Sequence, residues 1–304
     1  MGASAEPESA VMAQIYADAL RHAGAAVSHQ TSIGDDSTLL GAMDRADVDL
    51  FPAYTGTMLA KLAPEMAPQT ADDTYNDLNR ALPQGVSVGD PTPVNATPEV
   101  FVGSALASST GIEDLTGCSR LPSGLPLLVI AEPTGQTEPT EATLRELTAA
   151  HCALGPVQRV PEVKTALARV ASGSALGLFS SLAVSTALAD GPADKIQALS
   201  TPEPPAAESS TTASRAPQSG TPQSGIPQSS APSNSTPADS ITGPPAQILV
   251  PVFRTAALSR DQVKAINKVA GEITTTDLAA LAQKVRDGQE PGELATDWLA
   301  EHGI

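Results

Sequence analysis

Val11, Met12, Ile15, Tyr16, Ala19 and Leu20 recur at the spacing of one helix face across residues 8–22. Pro7 suits the first turn of that helix and Gly24 its stop. Residues 25–28 then read as a short strand. Asp36 or Ser37 is placed to cap a helix bearing Leu39, Leu40 and Met43. Residues 48–51 read as a strand that ends at Pro52, and residues 56–59 open another helix. The theme returns further on. Residues 99–102 read as a strand, 112–115 as the start of a helix and 125–131 as a strongly apolar strand. Helices are expected over 141–153 and 163–172, with a strand over 175–179. Alternation of this kind implies an α/β fold with a parallel or mixed sheet and helices on both faces. Two α/β lobes joined near Val94 and Asn95, and again near Pro251, fit the whole pattern.

Residues 247–304 read as one short strand and three helices. Ser259 caps residues 260–269, Thr275 or Thr276 caps 277–285, and Leu294, Trp298 and Leu299 share one face of the last helix. Trp298 at that spacing reads as core rather than as a ligand-stacking ring. Between the two portions, residues 203–246 carry an imperfect repeat of Pro, Gln, Ser and Gly, as in Pro217-Gln218-Ser219-Gly220 and Pro222-Gln223-Ser224-Gly225. With almost no apolar surface to offset ordering entropy, this tract is expected to be a disordered insertion in a surface loop. As a coil it would span about 35–40 Å.

Charge narrows the partners. The 304 residues carry a formal net charge of −17, with no cluster of Lys and Arg. Such a surface repels phosphate backbones and anionic lipid heads, so no nucleic acid partner is expected, and a cationic ligand is mildly favoured. No apolar run approaches the ~20 residues of a membrane span, and the first residues do not read as an export signal. Cys118 and Cys152 either close a disulfide loop worth roughly 3–4 kcal/mol or stand as buried thiols. The histidines His22, His29, His151 and His302 sit in no metal spacing, and no nucleophile elbow or phosphate loop occurs. Neither a catalytic residue, a metal site nor a cofactor is expected.

Ile15-Tyr16-Ala17-Asp18-Ala19-Leu20, Gly24, Val27 and Ala46-Asp47-Val48-Asp49-Leu50-Phe51-Pro52-Ala53-Tyr54-Thr55-Gly56-Thr57 resemble the opening lobe of the glycine betaine/carnitine/choline-binding proteins, the ProX-like substrate-binding subunits of ABC importers. Val250-Pro251-Val252-Phe253-Arg254, Ile273-Thr274-Thr275-Thr276-Asp277-Leu278 and Trp298-Leu299 resemble their return strand and C-terminal helices. The resemblance implies a type II periplasmic-binding-protein fold. Lobe I would be residues 1–93 plus 247–304 and lobe II 94–202, with a ligand cleft between them. It also implies a small-molecule osmoprotectant ligand, permease and ATPase subunits as partners, a monomeric state, and a periplasmic or cell-surface location with a lipid anchor. Family members begin with a strand and an export segment ahead of the position of Gly2, so the resemblance implies that both are missing from this sequence, as a start codon placed too late would explain.

For the ligand, the resemblance points to Ser4, Tyr54, Thr55, Asn95, Phe179, Ser180 and Ser181. A quaternary ammonium has no N–H and is best held by aromatic faces, while a ligand carboxylate wants hydroxyls or Arg. Tyr54 matches a family ring, or is a packed ring at a strand end. Thr55 matches a carboxylate donor, or caps a helix. Ser180 and Ser181 end a lobe II strand at the cleft, or are turn residues. Departures are clear too. The hinge tyrosine is replaced around Pro98, the Arg-Asp-Gly segment reads Pro133-Thr134-Gly135-Gln136, and three tyrosines cannot make a box of four. Two other readings follow: a cleft that takes a non-quaternary solute, or a secreted adaptor acting through residues 203–246.

Overall fold

The computed structural model describes residues 1–28, 33–66, 70–130, 144, 147–148, 151–188, 195–199 and 246–304. The tract over 203–245, the segment 133–136, His29 and most of the helix expected over 141–153 lie outside the described residues.

The described strands form two sheets. In the first, β8 (Leu249–Arg254) runs between β1 (Leu50–Tyr54) and β2 (Val86–Val88) and is antiparallel to both. Pro52 does not end β1. It stands opposite Pro251, whose carbonyl accepts from Gly89 N (2.9 Å) on the side away from β1. The two prolines therefore meet where the β1–β8 ladder needs no amide. The second sheet has the order β5 (Leu154–Val160), β4 (Leu125–Ile130), β6 (Leu176–Ser180), β3 (Pro98–Gly103), β7 (Ile196–Leu199). β4 is parallel to β5 and β6, whereas β3 is antiparallel to β6 and β7, so this sheet is mixed.

Around the first sheet lie α1 (Pro7–His22), α2 (Asp36–Asp44), α3 (Thr55–Leu62), α4 (Ala71–Ala81), α8 (Arg260–Glu272), α9 (Thr275–Arg286) and α10 (Pro291–His302). Helix α1 buries the face expected of it, with Met12, Ile15 and Tyr16 wholly inaccessible, against α8, α9 and α10. Trp298 joins that core. Around the second sheet lie α5 (Ser104–Thr110), a 3-10 turn over Leu115–Arg120, α6 (Val163–Ala171) and α7 (Ser181–Leu188). Cys118 in the 3-10 turn is disulfide-bonded to Cys152, with 4.8 Å between Cα atoms.

Several boundaries differ from the sequence reading. Asp35, not Asp36 or Ser37, caps α2, its carboxylate accepting from Thr38 N at 3.1 Å. Thr274, not Thr275 or Thr276, caps α9 in a reciprocal box with Asp277. Each helix begins at the first hydroxyl or carboxylate able to reach a free amide, and the neighbouring candidates fall inside the first turn. Residues 25–28 form no strand and pair with none among the described residues. The run 112–115 leads into 3-10 rather than α structure, because Asp114 caps the turn by accepting from Thr116 N.

Candidate functional site

Two adjacent segments carry the chain between the sheets. Asn95 and Ile248 form an isolated bridge, Ala96 N donates to Gln247 O (2.8 Å) and Leu249 N donates to Val94 O (3.2 Å). The crossover thus lies at 246–249, ahead of Pro251, which sits inside β8. Side chains lock it. The Thr55 hydroxyl donates to Ala246 O (3.0 Å) and accepts from Ile248 N (3.1 Å). Gln247 Oε1 accepts from both Thr57 N (2.9 Å) and the Thr57 hydroxyl (3.0 Å). Gly56 has no room for a side chain, since a Cβ there would lie 2.6 Å from Ala246 O. Because Thr55 is fully buried, Thr55→Val leaves the part-buried Ile248 amide and Ala246 carbonyl short of a partner. We expect a loss of about 2–3 kcal/mol in denaturant unfolding; an unchanged midpoint would show that the clasp carries no load.

A cavity of about 500 Å³ opens beside this crossover, between the two sheets. From the first sheet's side it is walled by Tyr54 at the end of β1, Asp36 at the start of α2, and Ser4, Glu6 and Glu8 at the start of α1. Arg286 closes it from α9. Across the cavity stand Glu162 and Lys164 at the start of α6, then Ser180, Leu182 and Thr186. Leu182 is shared with the core of the first sheet's helices, where α7 packs on α9.

Of the residues expected to touch ligand, the structure brings Ser4, Tyr54 and Ser180 together on this wall. Thr55, Asn95, Phe179 and Ser181 are not on it. The Thr55 hydroxyl is spent on the crossover. Asn95 accepts from Thr97 N through its side chain (2.8 Å), and its own N donates to the Thr275 hydroxyl (3.0 Å). Phe179 is wholly buried, its ring 6.0 Å from that of Phe101. The Ser181 hydroxyl bonds Glu99. The reason is the two-residue period of a strand: with Phe179 turned into the core, Ser180 is the one left at the cavity.

The Tyr54 hydroxyl has no hydrogen-bond partner among the described residues and is shut from solvent. Burial pushes its pKa well up, helped by the fields of Glu8, Asp36 and Glu6. Asp36 is lifted to about 6, chiefly by burial, with Asp35 adding to the rise and Lys61 opposing it. Glu8 is ion-paired with Arg286. Sequence reading overlooked Glu6, Glu8, Asp36, Lys164 and Arg286. Their acidic members could have been sought in the first turns of α1 and α2, where the helix ends gather at the cavity.

Residues 1–137 match the family model of the substrate binding domain of ABC-type glycine betaine transport systems. No curated protein matches the chain in sequence. Among solved structures it resembles apo YehZ from Escherichia coli (TM-score 0.65, 17% identity, covering 99% of this chain and 97% of that one). It also resembles a glycine betaine/carnitine/choline ABC transporter protein (TM-score 0.66, 14% identity, 99% and 97% covered). A third likeness is to lactococcal OpuAC in its closed form with glycine betaine (TM-score 0.52, 12% identity, 99% and 94% covered). These likenesses show the fold, a two-lobe periplasmic-binding-protein architecture. Over residues 1–137, then, the chain is similar to the substrate binding domain of ABC-type glycine betaine transport systems.

Proposed function

We propose that the chain is the solute-binding subunit of an ABC importer that captures a small osmoprotectant such as glycine betaine, choline or carnitine between its lobes. The observation that carries this reading is the cavity at the crossover, with the Tyr54 ring on its wall and that ring's hydroxyl unpartnered. Lobe I would comprise residues 1–93 and 247–304, lobe II residues 94–202. Ser4, Tyr54 and Ser180 would contact the solute, and Thr55 and Asn95 would hold the crossover on which closure turns. The chemistry asked of the chain is capture and release, not turnover. Permease and ATPase subunits are the partners the family supplies. An extracytoplasmic location with a lipid anchor, and a monomeric state, complete the reading. No helix among the described residues is long and apolar enough to cross a membrane.

A quaternary ammonium gains roughly 0.5–2 kcal/mol from an aromatic face, most when water is excluded. In a thermal-shift screen, glycine betaine, choline, carnitine and proline betaine are tested beside uncharged solutes. A ligand at 100 times its Kd stabilises by about 2.7 kcal/mol. Tyr54→Ala should weaken the responding solute about tenfold. A screen in which no quaternary amine raises the melting temperature would overturn the assignment.

A further inference from the structure

The two sheets' halves of the molecule meet at a second place besides the crossover. Helix α7 follows β6 and joins the second sheet's core through Val184 and Ala187. Leu182 lies on the opposite side of this helix from Val184, two residues away. It is buried in the first sheet's helical core, in one apolar cluster with Leu278, Ala279 and Leu281 of α9. Beyond Val94 at the crossover, Leu182 is the only described residue of 94–202 buried in that cluster. Helix α7 carries no charged side chain, so apolar burial, which needs no solute, holds it to α9. The far helix is anchored. Its first residue, Thr275, accepts from Asn95 N (3.0 Å) and donates to Pro93 O (3.3 Å), which ties α9 to the crossover. Its last turn reaches the cavity at Gln283 and Arg286, while α7 lines the cavity with Leu182, Ala183, Thr186 and Ala187. The α7–α9 contact therefore borders the cavity. A rotation about the crossover that widens the cavity draws Leu182 out of its socket.

We propose that Leu182 is a latch: its burial against α9 keeps the two halves together in the unloaded chain, and solute passes in or out only when the latch lets go. The proposal rests on the reading of the chain as two lobes that close on a solute, and adds a gate that the solute does not itself operate. Parting the contact exposes a leucine and its apolar socket to water, which weights the equilibrium toward the joined state by about tenfold or more. The same contact is made before and after loading. It therefore slows entry and release alike and leaves affinity nearly untouched.

Spin labels on Asn79→Cys in α4 and Ala168→Cys in α6, both exposed positions, report the distance between the halves of the full chain without solute. The labelled parent should give one narrow distance. Leu182→Ala should raise the fraction at a longer distance about tenfold. Leu182→Met, which keeps the apolar volume, should restore the parent pattern. Val184→Ala controls for lost packing alone, because Val184 is as buried as Leu182 (6% exposed each) but belongs to the second core. It should leave the distance unchanged. In stopped-flow binding of glycine betaine, Leu182→Ala should raise the association and dissociation rates together, each about tenfold, with Kd changed by less than about threefold. A Leu182→Ala distance pattern like the parent's, or one reproduced by Val184→Ala, would overturn the latch. Faster release with entry unchanged would overturn it too, since the contact would then belong to the loaded state alone. Failure of glycine betaine to bind counts against the importer reading, while the distances still decide the latch.

Discussion

Phe179→Ala should cost about 3–5 kcal/mol in denaturant unfolding, with the larger part of the loss in the second sheet. The ring is wholly inaccessible. It stacks on Phe101 and packs with Leu128, Ile130, Val160, Leu167 and Val170 in the core between β4, β6 and α6. Its fit is tight from below as well, since a Cβ on Gly177, two residues earlier on the same face, would sit 2.1 Å from the ring. A large ring removed there leaves a cavity that the sheet cannot collapse to fill. Phe179→Leu should recover most of the stability and leave solute affinity unchanged. If Phe179→Leu instead weakened binding at unchanged stability, the ring would be acting on the ligand rather than on the core.

Removal of the Cys118–Cys152 bond by a double serine replacement should cost about 3–4 kcal/mol in the chain-entropy account. Both cysteines are buried, with relative exposures of 1% and 7%, among Ile112, Leu115, Leu121 and Leu147. The bond ties the 3-10 turn before β4 to the segment entering β5, the pair of strands at one edge of the mixed sheet. The loss should therefore appear first as easier opening of that edge, read by hydrogen exchange at β4 and β5. Buried serines add a polar penalty of their own, so a double alanine variant separates the two effects. A double alanine variant as stable as the parent would show that the cross-link contributes nothing beyond packing.

Asp36 also links stability to pH. Its folded-state value of about 6 lies above the ordinary 3.8, so the folded protein holds this proton more tightly than the unfolded chain. The stability it contributes is full below about pH 4 and is lost as pH rises through 6. Asp36→Asn should thus stabilise the unliganded protein at pH 7.5 by about 1–2 kcal/mol, the cavity's own solvent reducing the full linkage figure, and should change little at pH 4. Thermal melts at the two pH values check the sign.

Much of the fold was legible in the sequence because hydrophobic period survives any tertiary arrangement. The face of α1 made by Met12, Ile15 and Tyr16, the apolar run of β4 and the capped start of α8 at Ser259 all declare themselves locally. The same holds for Trp298, whose helical neighbours marked it as core. The elements missed, such as α4, α5, β2 and β7, are short or strongly polar, and nothing local distinguishes them from loop. The site was half legible. Motif resemblance reached two strand ends that line the cavity, at Tyr54 and at Ser180, but could not say which neighbour faces it.

By itself, then, the sequence determined the periodic elements, the alternation of helix and strand, and the acidity of the chain. Only the tertiary structure decided that Thr55 is consumed by the crossover, that Phe179 is core while Ser180 is wall, and that Asp36 reaches the wall of the same cavity. The physical reason is that period and propensity act within a few residues. Whether a polar group is satisfied depends on partners such as Ala246 and Ile248, about 190 residues away from Thr55, brought close by the fold.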